Sequence, residues 1–272
     1  MDRRLTPANG RVALQSMRGI VDAPLYVAGE AADVVAQVVD LLDGPSGNRD
    51  RQLLWGEAVM VIERHDGWAF VQAAKDGYCG YVADAALGAA SKPTHRVAAP
   101  ASHLYSGPRV QAAEVAALSF GSLVTVTEIE GKFAKTPQGF IPEMHLRPLD
   151  APFADAVTVA ELFLGTPYLW GGNSRAGIDC SGLVQAALIA CGKPCPADSD
   201  QQRSVGTDLP EDAPLQRGDL VFWKGHVAMA VDADQLIHAN GHTMSVAYEG
   251  VAACIARVMA QEGLPVLMRR RP

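Results

Sequence analysis

The sequence predicts a multidomain protein: two small all-β, barrel-like units followed by an α+β domain. Three observations carry this. Its 272 residues, 49% of them apolar, suffice for one large domain or two to three smaller ones of roughly 100–200 residues. Short β-like segments separated by turn residues fill the first 150 or so positions and occur twice in similar form. The pattern then changes to helix-spaced apolar residues followed by further β runs.

Residues 1–34 read as an N-terminal arm. The opening "MDRRLTPANGRVALQSM" has arginines but no apolar run behind them, unlike an export signal, so a cytoplasmic location is expected. Residues 35–89 and 90–149 read as the two β units. "EAVMVIE" (57–63), "WAFVQAA" (68–74), "SLVTVTEIE" (122–130) and "FAKTPQGFIP" (133–142) are separated by "HDG", "KDG" and "EGK", the turn chemistry expected between short strands. Residues 53–87 and 118–146 share the order Gly, β run, charged turn, aromatic, short strand, Gly-aromatic, closing Leu. Such self-similarity is the mark of an internal duplication.

The boundary of the last domain, 150–272, is placed near the prolines Pro148 and Pro152. Val157, Ala160, Glu161 and Leu164 have helical spacing before Gly165. A second helix begins near Cys180, with Asp179 as its N-cap type, Leu183, Val184, Ala187 and Leu188 on its apolar face and Gly192 as its stop. "GDLVFW", "HVAMAVD" and "QLIHAN" then read as strands.

Composition excludes several functions. A net charge of −7 argues against a nucleic-acid partner, whose phosphates call for clustered Lys and Arg, and the terminal "MRRRP" reads as a solvated tail. No window approaches the roughly 18 apolar residues of a membrane span. Five irregularly spaced cysteines suggest thiols in a reducing compartment rather than a disulfide framework.

Each thiol is therefore a candidate nucleophile, ligand or core residue. Cys180, in the first turn of a helix, meets exposed N–H groups and the positive end of the helix dipole, which favour the thiolate. A small buried filler is the alternative. A cysteine nucleophile needs a base, and the base needs a third group to orient it. His226 and His238 lie at or in consecutive strands. Their rings share a face of a hairpin if cross-strand partners sum to an even number, as with 228 opposite 238.

"PYLWGG" (167–172), "DCSG" (179–182), "PADS" (196–199), "RGDLVFW" (217–223), "GHVAMAV" (225–231) and "LIHAN" (236–240), in that order, resemble the NlpC family of papain-like cysteine peptidases. The β units resemble the bacterial SH3 domains fused to this fold in γ-D-glutamyl–diaminopimelate endopeptidases. The resemblance spans roughly residues 35–272. It implies two SH3-like barrels before a papain-like α+β domain, and an enzyme that hydrolyses the γ-D-glutamyl–diamino acid bond of peptidoglycan stem peptides without metal or other cofactor.

Residue by residue, it implies Cys180 as nucleophile, His226 as general base, His238 as the group orienting it, and Tyr168 as an oxyanion donor beside the Cys180 backbone N–H. It implies substrate binding by Trp170, Asp179, Ser181, Asp198 and Ser199; packing is the alternative for Trp170, and caps and turns for the polar four. Ala197 stands where relatives often have Arg. Glu57 and Tyr81, from the first β unit, match positions that recognise the free L-Ala amine of released peptides, which implies wall-peptide recycling. Rival readings are a wall-peptide-binding module without activity, an amidase or acyltransferase of the same fold, and a zinc site. The zinc reading rests on the Cys191/Cys195 and His238/His242 spacings.

Overall fold

The computed structural model describes all 272 residues, and the chain divides after Asp150 into two compact units. The first, Met1–Asp150, is built from short strands. One sheet holds, in order, Arg49–Leu54, Val38–Leu42, Cys79–Ala83, Trp68–Ala73, Ala58–His65, Glu30–Val34 and Leu87–Ala89. A second set follows the same chain path. Glu114–Ser119, Ala101–Tyr105, Gly139–Pro142, Phe133–Thr136 and Glu128–Glu130 form one sheet; Leu123–Val124, His95–Val97 and Leu146–Pro148 form another. The 3-10 turns Asp84–Ala86 and Glu143–His145 precede the last strand of each set. The sequence repeat is thus a repeat of strand pairing.

Local chemistry explains the turns. Asp66 and Gly67 both have positive φ, 49° and 80°, the two-residue hairpin geometry whose twist matches that of the flanking strands. Gly56, at φ 77°, is required for a different reason. A Cβ there would lie 2.1 Å from the Leu123 carbonyl oxygen, where the Leu123 N–H donates to the Trp55 carbonyl at 2.8 Å. Trp55 packs on the core formed by Val97, Leu104, Leu118 and Ile141.

One difference from expectation concerns the arm. Glu30–Val34 pairs with both Ala58–His65 and Leu87–Ala89, so the first sheet starts at residue 30 rather than 35. Val12 joins the core of Ile62, Phe70 and Cys79. The break falls at Gly29, φ 83°; Asp33, a turn-type residue by identity, instead lies buried within the strand and accepts from the Ser91 N–H and hydroxyl at 2.7 and 2.6 Å.

The second unit, Ala151–Pro272, contains helices α1 (Ala156–Glu161), α2 (Cys180–Ala190), α3 (Ser199–Gln202) and α4 (Val251–Glu262). Beside the short ribbon of Asn173–Ser174 and Gly177–Ile178, its main sheet holds β1 (Thr207–Leu209), β2 (Leu220–Trp223), β3 (His226–Ala230), β4 (Gln235–Asn240), β5 (Ser245–Gly250) and β6 (Met268–Arg271), in the antiparallel order β1-β6-β2-β3-β4-β5. Helix α2 packs on α1, β3 and β4. Cys254 and Val258 of α4 pack on Val221, Trp223, Ala228, Ala230 and Leu236. Covered strands read as continuous apolar runs, as "HVAMAV" does.

The terminal "MRRRP", expected as a solvated tail, is instead strand β6, between β1 and β2. Its charges are answered within the chain. Arg271 donates to both oxygens of buried Asp219 at 2.8 and 2.7 Å, Arg270 pairs with Asp208, and Arg269 donates to the Glu211 carbonyl at 2.6 Å. No helix is long and apolar enough to cross a membrane.

Candidate active site

The site is built outward from the start of α2. Asp179 is its N-cap with extended backbone, and Cys180 is the first helical residue. Asp179 Oδ1 accepts from the Gly182 N–H at 2.6 Å and the Ser181 hydroxyl at 3.0 Å, and Oδ2 accepts from the Gly171 N–H at 2.9 Å. One buried carboxylate therefore ties the aromatic loop to the first turn of the helix. Gly182 fits because a Cβ would lie 2.6 Å from both Asn173 Oδ1 and the Gly172 carbonyl oxygen. Cys180 is buried, and the five cysteines form no disulfide.

The loop before α2 is strung along β5. The Gly165 N–H donates to Val246 O, the Val246 N–H to Thr166 O, and the Tyr168 N–H to Met244 O, at 2.8–2.9 Å. This fixes Tyr168 in the loop that leads into α2, with its phenol within electrostatic reach of Cys180. Burial first, then the proximity of Cys180 and Asp179, pushes the phenol pKa up, so the hydroxyl keeps its proton and remains a donor at neutral pH. Trp170 lies further out, 68% exposed.

Strands β3 and β4 pair Met229 with Ile237 and Ala230 with Leu236, both even sums. His226 and His238 consequently share a face, and His226 Nε2 lies 2.9 Å from His238 Nδ1. The ring of Trp223, cross-strand from His226, is tilted against it at 5.7 Å. Burial pushes both imidazoles down, His226 to about 3 with His238 as second cause, and His238 to about 4 against the opposing pull of Glu249. Both rings are neutral at pH 7.

Beyond His238 stand two residues that sequence reasoning missed. His238 Nε2 lies 3.1 Å from Glu249 Oε2, close but not aligned as a hydrogen bond. Arg257 grips Glu249 through Nε to Oε1 and Nη2 to Oε2, each at 2.8 Å, and this holds the carboxyl down at about 2. Tyr168, His226, Asn240, His242 and Arg257 contribute to the lining of a cavity of about 460 Å³. Glu249 lies on β5 and Arg257 on α4, neither of which had been anticipated; the alanine-rich run ending at Gly263, φ 68°, is the signal that could have found the helix.

The polar loop ahead of α3 has its own ties. Asp198 is the α3 N-cap, its N–H donating to Gln201 Oε1 at 3.4 Å, and Ser199 is buried. Gln202, also missed, donates to Ser181 O at 2.9 Å and Pro196 O at 3.0 Å, fastening this loop to α2. Ala197 is 1% exposed and supplies no charge.

Glu57 and Tyr81 belong to the first unit. Lys75 donates to Glu57 Oε1 at 2.7 Å, Oε2 is buried without a partner, and burial pushes this carboxyl up. Tyr81 packs against Phe70 with ring centroids 5.0 Å apart. The pattern of cysteines and histidines that suggested zinc is not assembled. Donor atoms within 4.8 Å of one another come from His238, Glu249 and Cys254, with the Arg257 guanidinium already on the carboxylate.

The NlpC/P60 family model matches residues 165–259, and the bacterial dipeptidyl-peptidase SH3 domain matches residues 41–87. The chain is 31% identical to a gamma-D-glutamyl-L-lysine dipeptidyl-peptidase of Bacillus subtilis, over 69% of this chain and 71% of that protein. It is 25% identical to dipeptidyl-peptidase 6 of Lysinibacillus sphaericus, over 77% and 87%. Among solved structures, an NlpC/P60 family protein from Bacillus cereus superposes with a TM-score of 0.74 at 21% identity, covering 89% of this chain and 99% of that one. That likeness is one of fold.

Proposed function

Because the chain belongs to the NlpC/P60 family and is a cysteine peptidase, we propose that it hydrolyses the γ-D-glutamyl–diamino acid bond of peptidoglycan stem peptides. The substrate is L-Ala-γ-D-Glu-diaminopimelate or its like, released from the wall and bearing a free N-terminal L-Ala. The observation that carries this reading is the pair His226 and His238, 2.9 Å apart on one strand face, in a unit where the Tyr168 phenol is within electrostatic reach of Cys180 at the start of a capped helix.

The Cys180 thiolate attacks the γ-carbonyl of D-glutamate. The Tyr168 hydroxyl and the Cys180 backbone N–H receive the negative charge that develops on the carbonyl oxygen, where a preorganised donor contributes about 3–4 kcal/mol. His226 takes the Cys180 thiol proton as the sulfur attacks, passes it to the leaving amine, then takes a proton from the water that hydrolyses the thioester and returns it to the departing Cys180 sulfur; His238 orients it. Trp170, Asp198 and Ser199 contact the substrate. Asp179 and Ser181 serve it indirectly, since the Asp179 carboxylate is engaged by Gly171, Ser181 and Gly182.

Recognition of the amine is assigned to Glu57 and Tyr81. The Glu57 oxygen without a partner suits an ammonium, because a buried acceptor left unmatched costs about 1–3 kcal/mol. The first β repeat is the bacterial SH3 domain matched above; the second is read as another on its similar strand order, divided between two sheets. Five thiols without a disulfide suit a reducing compartment, and hence wall-peptide recycling in the cytoplasm.

The test is incubation with L-Ala-γ-D-Glu-meso-diaminopimelate, free and N-acetylated on alanine, beside the Cys180→Ala variant, read by mass spectrometry. The free peptide is cut by the wild type alone. Equal cleavage of the acetylated peptide removes amine recognition, and cleavage of neither removes the endopeptidase reading.

A further inference from the structure

We propose that Glu249, gripped by Arg257, is a positioning residue that fixes the tautomer of His238 and through it that of His226, leaving the His226 Nδ1 lone pair bare to accept a proton from Cys180. The proposal deepens the catalytic reading above and rests on it for the role of Cys180.

In the 2.9 Å contact between His226 Nε2 and His238 Nδ1, one nitrogen must carry the proton and the other the lone pair. If His226 donates, neutral His226 has its free lone pair on Nδ1, and neutral His238 carries its proton on Nε2, toward Glu249. If His238 donates instead, its bare Nε2 faces a carboxylate oxygen at 3.1 Å, acceptor against acceptor, and His226 Nδ1 is blocked by a proton. The geometry selects the first arrangement. The 3.1 Å approach is off-line for a hydrogen bond, but whether a proton or a lone pair faces an anion is settled by charge rather than by alignment.

Glu249 can make this choice only as an anion that accepts and never donates. Arg257 ensures that by a two-pronged grip at 2.8 Å on each oxygen, the strong form of a charged hydrogen bond. The charged and titratable groups around His238 are His226 from β3, Glu249 from β5, Arg257 from α4, and His242 after β4. Cys254 of α4 lies 3.8 Å from the Arg257 guanidinium. Among them, the Glu249 carboxylate is the acceptor that meets His238 Nε2.

The experiment uses the full chain and three readouts. Long-range 15N–1H spectra of the wild type, taken above pH 7, show both His226 and His238 protonated on Nε2. Glu249→Gln places an amide among donors, since an NH2 then confronts either Arg257 or His238. It shifts protons to Nδ1 and lowers kcat by about 10²-fold, less than the ~10⁴-fold caused by a wrong tautomer held directly at the base, with KM nearly unchanged. The third readout is a double-mutant cycle. In a His238→Ala background, where no ring relays the choice of tautomer, Glu249→Gln costs less than about twofold.

Equal losses in both backgrounds, or a wild-type His238 protonated on Nδ1, overturn the proposal; the latter needs no variant and decides the matter should Glu249→Gln misfold. The alkylation rate of Cys180 by iodoacetamide against pH separates the two readings. A wild-type thiol no faster than a free one, with no peptide cleaved, refutes the catalytic assignment while the imidazole spectra still judge the role of Glu249.

Discussion

Replacing Asp179 by alanine tests what holds the nucleophile in place. The change deletes an N-cap, worth about 1 kcal/mol, and strands the Gly171 N–H, which is bound at 2.9 Å in a buried setting, at a cost of about 1–3 kcal/mol. The sum, about 2–4 kcal/mol, is a large part of the roughly 5–15 kcal/mol that stabilises a domain. For a unit of this size it corresponds to a fall in Tm of ~8–16 °C. Scanning calorimetry of the full chain reads it as a downward shift of the C-terminal transition, and iodoacetamide modification of Cys180 slows because the helix start is no longer fixed. Asp179→Asn recovers part of both, since its oxygen still caps while its NH2 meets an N–H. If Asp179 instead held the substrate, alanine would raise KM and leave Tm and alkylation unchanged. That outcome would refute the cap argument.

Three further expectations follow from the same geometry. Tyr168→Phe keeps the ring and removes the donor, so kcat falls about 10²–10³-fold while Tm holds; steady-state kinetics with an unchanged kcat would exclude the hydroxyl from oxyanion binding. Gly182→Ala drives a Cβ to 2.6 Å from Asn173 Oδ1 and Gly172 O, an overpacking cost of about 1–3 kcal/mol visible in urea melts as a lower midpoint at constant slope. Acid is destabilising. His226 and His238 sit at about 3 and about 4 when folded, against an ordinary 6.5, and Glu249 at about 2 against 4.5. All three take up protons more readily when unfolded, so their contribution is full above pH 6.5 and declines as pH falls, first through the histidines and below 4.5 through Glu249. Calorimetry shows a Tm that drops from pH 6.5 to 4, less steeply in His238→Asn; a Tm that rises on acidification to pH 5 contradicts the neutral, buried histidine pair.

What the sequence made legible was local or periodic. The capped helix at Cys180 follows from an Asp before a helix-spaced apolar run ending in Gly. The shared face of His226 and His238 follows from the two-residue period of strands once an even register is supposed, and the observed register is even. The β repeat was visible because turn glycines such as Gly56 and Gly121, both at positive φ, recur at matching places.

Pairings between distant elements were not legible. Glu249 and Arg257 meet because α4 follows β5 directly and turns its side chain back onto it, a contact that no spacing rule distinguishes from two exposed charges. The terminal arginines were misjudged for a related reason: charge counting treats "MRRRP" as solvated, whereas its guanidiniums reach Asp208, Asp219 and backbone carbonyls along neighbouring strands. Asp179 illustrates a third limit, since a carboxylate that caps a helix and one that grips a ligand are the same residue type in the same place.

The central claim is that Cys180 forms the acyl-enzyme. Rapid acid quench of the wild type with L-Ala-γ-D-Glu-meso-diaminopimelate, followed by peptide mapping at low pH, measures it most directly. The account predicts an L-Ala-D-Glu acyl group on the peptide carrying Cys180, appearing before free dipeptide accumulates and absent in Cys180→Ala. Turnover that persists in Cys180→Ala would contradict it.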